Sequence, residues 1–270
     1  MIKTAYPRSD REVILPQTFV GLRDLIFGDV AVLIKSFFDG SGKGSDQSGY
    51  VALVCHSASK TDWDRFEEAW KDALKQKGVK GRFHAAEVVN GKGEFESWCL
   101  PKRASLIDHM LGVLQSADYI RGVVYAVSID AHNHAKKLRP IPTIGDICAR
   151  GTLQSVGLEY PKDDLSLVFD RTEEFRKHVQ KLWDQNKNTT GALARIVDID
   201  AADSNKVCAL QGTDLSAWYV RNEWMIARGQ WLWPTDKMIQ LQHAVQYTFS
   251  KRFEFEGLMD FDFSILDIGL

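Results

Sequence analysis

Two apolar runs that each end in an aspartate constrain the fold of this chain more than any other feature of its sequence. Residues 31–39 read AVLIKSFFD and residues 165–170 read LSLVFD, and both are rich in residues that favour β-strands. Strand patterns of this kind alternate with helical patterns along the chain, which predicts an α/β fold. Asp39 and Asp170 then stand at strand ends, where the binding sites of α/β sheets collect.

The other strands and helices are predicted from the spacing of apolar residues and from the glycines that follow them. Strands are predicted over residues 31–39, 49–57, 119–129, 165–170 and 193–199, the first two as a hairpin. Helices are predicted over residues 61–77, 102–116, 144–159, 173–185, 209–228 and 236–250. The segment 81–87 is predicted to be a short extended piece that enters a loop.

The composition is that of an ordinary globular protein. Hydrophobic residues make up 44% and charged residues 26% of the 270, which excludes a disordered or collagen-like chain. Because no linker divides the sequence, we expect one domain over residues 31–228. An N-terminal arm over residues 1–30 would precede it, and a C-terminal extension over residues 229–270 would pack on the same domain.

The sequence also bears on compartment and partners. Its longest apolar runs are too short to span a bilayer and its polar N-terminus does not resemble a signal peptide, so we expect no membrane association. The four cysteines lack the spacing of zinc or redox sites, which favours reduced thiols in a cytoplasmic protein. The formal net charge of −2 does not exclude a nucleic-acid partner, because binding depends on where the charge lies.

Four carboxylates at the edges of core elements form the candidate active site. Asp39 and Asp170 end strands, Glu87 follows the extended piece RFHAAE, and Asp214 lies at the start of a helix in ALQGTDLSAW. If these groups converge, the simplest neutralising partner is a hard divalent cation bound through oxygen, Mg²⁺ or Mn²⁺. Two such ions would hold the attacking and leaving oxygens of a phosphoryl displacement.

Each carboxylate taken alone also has an ordinary structural explanation. Asp170 could cap a helix, with Glu173 three residues on as in a capping box. Asp214 could be a charge on a helix dipole, and Glu87 could be solvated. Three weaker candidate sites are the glycine-rich FFDGSGKGS loop, the histidines of DAHNH and a serine–histidine–aspartate triad, none of which has the spacing its chemistry requires.

Several short motifs carry a family resemblance. They occur in the order FFDGSGK, FHAAE, LSLVFD, AADSNK and QGTDLSA, and span about residues 31–224. This ordered set resembles the bacterial and phage family catalogued as "domain of unknown function 3800". One departure is QGTD, because an apolar residue more often precedes that aspartate in the family.

The family is similar to the ribonuclease-H-like superfamily, and the resemblance therefore implies a fold and an activity. The implied fold is a mixed sheet flanked by helices, with element order β-β-β-α-β-α-β-α. The implied activity is divalent-metal-dependent hydrolysis of phosphodiester bonds in DNA or RNA. Asp39, Glu87, Asp170 and Asp214 would be both the metal ligands and the catalytic residues.

Substrate contacts are expected around these carboxylates. The candidate substrate-binding residues are Ser41, Gly42, Lys43, His84, Arg171 and Gln211. Backbone amides after the first strand would hold a phosphate, His84 or Lys43 would manage protons or phosphate charge, and Arg171 would contact phosphate. Two clusters of basic residues, within 71–82 and 136–139, would extend the surface for nucleic acid.

Two other functions remain open at this point. The same fold could serve as a non-catalytic module that binds nucleic acid or a protein partner. It could also serve as a phosphoesterase for small substrates, which the near-neutral charge allows. Metal-dependent turnover of polymers would separate the three hypotheses.

Overall fold

A computed structural model describes residues 32–42, 49–187 and 192–227, with the side chains of residues 192 and 222–227 excepted. The predicted arm over residues 1–30, the predicted extension over residues 229–270 and Lys43 lie outside the described residues.

In the described part of the chain, five strands form one mixed sheet. The strands are β1 (Leu33–Ser41), β2 (Tyr50–Ala58), β3 (Arg121–Ser128), β4 (Asp164–Asp170) and β5 (Ile196–Ala202), and their spatial order is β3-β2-β1-β4-β5. β1 pairs antiparallel with β2, as the predicted hairpin requires, and parallel with β4. β3 is antiparallel to β2 and β5 is parallel to β4. The central strand β1 therefore joins an antiparallel half of the sheet to a parallel half.

Helices cover both faces of this sheet. They are α1 (Lys60–Gln76), α2 (Ala85–Asn90), α3 (Leu100–Ser116), α4 (Ile129–Leu138), α5 (Ile144–Glu159), α6 (Phe175–Asn186) and α7 (Cys208–Ala227). Short 3₁₀ turns occupy Gly93–Phe95 and Ala192–Arg195. Helices α1, α2, α3 and α7 enclose one core, and α5 and α6 enclose the other. The architecture confirms the predicted α/β class with a mixed sheet flanked by helices. The implied order with three strands before the first helix is wrong, because α1 to α3 lie between β2 and β3.

Alternation along β1 divides its side chains between the two cores. Phe37 packs in the core beneath α1 and α7, and Phe38 packs in the opposite core, stacked on Phe169 of β4 at 4.7 Å between ring centroids. Phe38 also pairs with Phe169 in the parallel register. Asp39 and Asp170 each follow one residue later, so the two-residue period of a strand returns both to the α7 side of the sheet.

The expectation of an extended piece and loop at residues 81–87 is wrong in its second half. Residues 85–90 form α2, so that Glu87 lies on a helix rather than in a loop. The run Ala-Ala-Glu favours a helix, and Gly91 ends it with a left-handed φ of 58°. A helix this short depends on its two ends, which apolar periodicity does not detect.

The DAHNH segment, whose histidines are one of the weaker candidate sites, lies in α4, a helix that the sequence analysis does not predict. The Ser128 side chain caps this helix by accepting a hydrogen bond from the Ala131 amide. His132 is buried, with Nε2 2.9 Å from the Pro142 carbonyl oxygen, and His134 is exposed. Residues two apart on a helix point in different directions, so these histidines do not form a shared metal site.

Within the described ranges, no helix combines the length and the apolarity that a bilayer span requires.

His56 is a buried polar group in the sheet. It lies on β2 opposite Phe37 of β1 and is 2% exposed. Its Nδ1 has no hydrogen-bond partner among the described residues. Burial disfavours the charged imidazole and lowers the pKa of His56 to about 4. The fold therefore requires a neutral His56.

We expect His56 to make the protein acid-sensitive. The pKa of His56 is about 4 in the folded state and roughly 6.5 in the unfolded chain. Above pH ~6.5 the imidazole is neutral in both states, so burying it costs no protonation free energy. As pH falls from ~6.5 toward 4, the unfolded chain gains the proton first and the folded protein loses stability. Between about pH 7 and about pH 4.5, the wild type should lose roughly 2–3 kcal/mol more unfolding free energy than His56→Leu. Urea unfolding at the two pH values measures this difference.

The control for this experiment is His134→Leu, since His134 is exposed on α4. That variant should keep the pH dependence of the wild type. If His56→Leu keeps it as well, the buried histidine does not control acid stability.

Candidate active site

A cavity of about 390 Å³ opens beside the carboxyl ends of β1 and β4. The residues that line it are Asp39, Arg82, Phe83, His84, Asp170, Arg171, Thr172, Asp203, Ser204, Asn205, Leu210, Gln211 and Asp214. The parallel strands β1 and β4 end here, and β1 is also the strand at which the sheet changes from antiparallel to parallel pairing. This edge is where α/β sheets place their ligands.

The cavity brings together three of the four predicted carboxylates. Asp39 comes from β1, Asp170 is the last residue of β4, and Asp214 lies in the second turn of α7. Helix α7 packs on β1 and β2, so its carboxylate faces the two that leave the strand ends on the same side of the sheet. Asp39 thus shares one site with two carboxylates that lie more than 100 residues later in the sequence.

Asp39 is the most electrostatically unfavourable of the three. It is half-buried at the cavity wall. Burial raises the pKa of its carboxyl well above the ordinary value, and the charges of Asp214, Glu173 and Asp170 raise it further. A hydrogen bond with the Glu173 side chain acts in the same direction. Without a positive partner, the site favours a proton on Asp39.

Asp214 shares this unfavourable setting but has more support. Burial raises its pKa, while the charge of His84, a hydrogen bond from the Ala85 amide and the charge of Arg82 lower it in part. The Ala85 amide donates to Oδ2 at 2.7 Å. The first amide of α2 thus fixes one oxygen of Asp214, and the net effect is still a raised pKa.

Asp170 is held as an anion by the turn that follows it. Burial raises its pKa, but hydrogen bonds from Ser204 and Thr172 outweigh that effect and lower it overall. Oδ1 accepts from the Thr172 amide at 2.9 Å and from its hydroxyl at 2.7 Å, and Oδ2 accepts from the Ser204 amide at 3.1 Å. Helix α6 begins at Phe175, with Glu174 at its N-cap, so Asp170 does not cap it.

Glu173 is a site residue that the sequence analysis missed. Its Oε2 accepts a hydrogen bond from the Gly40 amide at 2.9 Å, and its Oε1 accepts from the Phe175 amide at 3.0 Å. A Cβ on Gly40 would collide with the Phe175 ring, so the glycine after Asp39 permits this approach. The sequence suggested Glu173 as a capping partner of Asp170, whereas the pairing of β1 with β4 places it beside Asp39.

Glu87 lies near the cavity but does not line it. Its Oε1 forms an ion pair with Arg82 Nη2 at 2.8 Å, and both side chains are about one-third exposed. Arg82 does line the cavity and lowers the pKa of Asp214. The charge of Glu87 acts on the site in the opposite direction and raises the pKa of Asp214, and its role as a metal ligand stays a prediction.

Gln211 ties three segments together next to the cavity. Its Oε1 accepts from Trp70 Nε1 at 2.9 Å and from the Phe83 amide at 3.2 Å, and its Nε2 donates to the Ser204 carbonyl at 2.8 Å. The side chain is buried. These contacts give Gln211 a positioning role, and its contact with substrate stays a prediction.

The other predicted substrate residues divide into two groups. His84 and Arg171 line the cavity, and His84 Nδ1 is buried without a hydrogen-bond partner among the described residues. Ser41, the last residue of β1, and Gly42, which follows it, lie outside the lining. Gly42 has a φ of +86°, and a Cβ there would collide with the Tyr50 carbonyl oxygen, so this glycine is needed for the backbone path.

The loop after β5 supplies a further wall of the cavity. Asp203 Oδ1 accepts from the Asn205 amide at 3.0 Å and from its side-chain nitrogen at 2.6 Å. The hydrogen bond from Asn205 lowers the pKa of Asp203. This turn presents the Ser204 amide to Asp170. The sequence analysis includes Asp203, Ser204 and Asn205 only as members of the AADSNK motif and gives none of them a role in the site.

The donor set fits a hard divalent cation in its chemistry. The facing ligands are carboxylate oxygens, which Mg²⁺ and Mn²⁺ prefer, and the unfavourable charge on Asp39 is the kind a cation relieves. Across residues 32–42, 49–187 and 192–227, no three side chains of histidine, cysteine, aspartate or glutamate stand close enough together to hold an ion as they are. Water would therefore supply part of any coordination shell, as is usual for Mg²⁺.

Comparisons with known proteins identify no family for the chain. No family model matches it. No curated protein matches it.

Several solved structures are similar in fold, among them the following ribonucleases H. Bst ribonuclease HIII in complex with Mn²⁺ is 13% identical, with a TM-score of 0.45, and the match covers 82% of this chain and 63% of that one. Ribonuclease H2 from Pyrococcus horikoshii is 11% identical, with a TM-score of 0.42 and coverage of 79% and 88%. A chain of the PCNA–ribonuclease HII complex from Archaeoglobus fulgidus is 11% identical, with a TM-score of 0.44 and coverage of 84% and 100%. The chain thus spans less than two thirds of the ribonuclease HIII it matches.

Proposed function

We propose that this protein is a Mg²⁺- or Mn²⁺-dependent nuclease of the family its motifs resemble, which hydrolyses phosphodiester bonds of DNA or RNA. One observation carries the proposal: Asp39, Asp170 and Asp214, from three separate elements, line one cavity at the carboxyl ends of parallel strands. Carboxylates gathered in this way repel one another and are stabilised by a cation. Such a site suits a substrate that is itself an anion.

Asp39 would be a ligand of both ions, because it lies on the central strand and the charges of Asp170 and Asp214 both act on it. Asp170 would complete one ion site and Asp214 the other, with Glu87 or Glu173 close by. When bound, such ions polarise the scissile phosphate and lower the pKa of an attacking water. The hydrogen bonds from Thr172 and Ser204 would hold Asp170 in its charged, ligating form.

Cationic and proton-carrying side chains surround the carboxylates. Arg82 and Arg171 line the same cavity and would attract and orient a phosphodiester. His84 lies beside Asp214, where its imidazole can accept or donate a proton during bond cleavage. Gln211 would keep the Ser204 loop and the segment before α2 at a fixed separation. These residues would thus position both the substrate and the ligands.

We expect Asp39→Asn and Asp170→Asn each to abolish cleavage of oligonucleotides in the presence of Mg²⁺ or Mn²⁺. Loss of one ligand removes an ion and the stabilisation it gives to developing charge, which costs a factor of roughly 100 to 1,000 or more. Single-turnover cleavage of labelled DNA and RNA, with circular dichroism to verify folding, measures the effect.

Asp72→Asn is the matched control, because Asp72 is exposed on α1 and does not line the cavity. It should cleave at the wild-type rate. Near-wild-type turnover by folded Asp39→Asn would mean that the active site lies elsewhere.

A second prediction concerns stability and needs no substrate. The raised pKa values of Asp39 and Asp214 favour folding when these groups are protonated, and that stability is lost as pH rises through the raised pKa. At neutral pH, metal-free Asp39→Asn should therefore melt at a higher temperature than the wild type. Mg²⁺ or Mn²⁺ at about 100 times its Kd should stabilise the wild type by about 2.7 kcal/mol, or several degrees.

The metal response of Asp39→Asn should be smaller, because one ligand is gone. Asp72→Asn again serves as the control and should follow the wild type in both measurements. Thermal melting with chelator and with metal tests both effects. Equal metal responses in the wild type and Asp39→Asn would exclude a metal site at this carboxylate.

A further inference from the structure

A second cavity, of about 630 Å³, runs along helix α6 beside the candidate active site. We call it the α6 groove. Its charged lining residues are Arg171, Glu173, Arg176, Lys177, Lys181 and Asp184. Four cationic groups thus face two carboxylates in a protein whose formal net charge is −2.

The α6 groove is continuous with the active-site cavity. Arg171 lines both cavities. Glu173, which also lines the groove, lies close enough to Asp39 to raise its pKa. A ligand that reaches the carboxylates past Arg171 would therefore extend into the groove if it were longer than a single nucleotide.

The two carboxylates of the groove are already engaged. The Glu173 oxygens accept hydrogen bonds from the Gly40 and Phe175 amides. Asp184 Oδ1 accepts from Gln180 at 3.3 Å and lies 3.5 Å from the Lys187 ammonium. The four cationic groups still outnumber the two carboxylates, so the lining of the groove keeps a net positive charge.

Two of the four cationic groups of the groove have no partner among the described residues, while the charge of Arg171 acts on Asp203. Arg176 and Lys177 make no side-chain hydrogen bond or ion pair with the described residues. Lys181 lies 3.8 Å from an Asp146 oxygen and is 60% exposed. Elsewhere on the surface, Lys60 and Lys71 of α1 each pair with a carboxylate four residues away. Arg176 and Lys177 are therefore available to contact a ligand in the groove.

Helix α6 holds these charges in a fixed arrangement. Its apolar residues Phe175, Val179 and Leu182 are buried in the core beneath it. Lys177 and Lys181 are four residues apart, so they lie about one turn, or ~5.4 Å, apart along the same side of the helix. A row of cations on a rigid helix suits a ligand with regularly repeated negative charges.

We infer that the α6 groove binds the sugar-phosphate backbone of a nucleic-acid strand on one side of the scissile bond. The inference rests on the proposed function for the cleavage itself and makes the substrate a polymer rather than a mononucleotide. Arg171 contacts the phosphate nearest the active site, and Arg176, Lys177 and Lys181 contact the phosphates beyond it. The contacts are with phosphates, so they add affinity without base preference.

The test measures binding separately from cleavage. All proteins carry Asp39→Asn, so that a fluorescent oligonucleotide of roughly 16 nucleotides stays intact. Arg176→Gln combined with Lys177→Gln should weaken its binding about tenfold in anisotropy titrations at low salt. The slope of log affinity against log salt concentration should become shallower by about 1 to 2, since each lost phosphate contact contributes ~0.7–0.9.

The matched control combines Lys35→Gln with Lys60→Gln, which removes the same charge from exposed positions that line neither cavity. It should bind with nearly unchanged affinity. Equal losses in the two double variants, or no loss in the α6 variant, would overturn the groove as a binding track.

Failure of the groove and failure of the proposed function give different results. If an otherwise wild-type protein cleaves oligonucleotides but the α6 variant binds normally, the groove is overturned and the nuclease stands. If nothing cleaves under any metal but the α6 variant alone loses affinity and salt dependence, the groove stands and the protein is a nucleic-acid-binding module.

Discussion

The rest of the structure depends on the parallel pairing of β1 with β4. The stacked pair Phe38 and Phe169 lies in one core, and the alternation of the strands then places Asp39 and Asp170 together on the other side. A slip of one residue in this register would turn one aspartate to the opposite face and bury a charge among the apolar side chains of α5 and α6. The stacking of Phe38 on Phe169 in the apolar core thus sets the register that brings Asp39 and Asp170 together.

The carboxylates of the candidate active site destabilise the fold that brings them together. Burial and mutual repulsion raise the pKa of Asp39 and Asp214, so that these carboxyls destabilise the protein whenever they are charged and have no cation. Asp170 is treated differently, because three hydrogen bonds keep it charged. One anionic group beside two that favour protons is the charge arrangement that the proposed cation would relieve.

The sequence predicted the parts of the structure that follow from periodicity and from strand ends. Asp39 and Asp170 could be placed at one edge because parallel strands end together, and the order of strands and long helices was confirmed. Helices α2 and α4 were missed, since short helices depend on capping contacts such as that of Ser128. Glu173 was missed because its bond to the Gly40 amide joins residues 133 apart and exists only after β1 and β4 pair.

The turn after β4 links the two cavities through four consecutive residues. Asp170 faces the carboxylates, Arg171 lines both cavities, Thr172 fixes Asp170, and Glu173 holds the backbone after Asp39. The geometry of this turn therefore sets, at the same time, where an ion would be held and where a strand would leave toward α6. Because one short segment controls both, a change in its backbone would displace the ligands and the substrate path together, whereas a change further along α6 would affect the path alone.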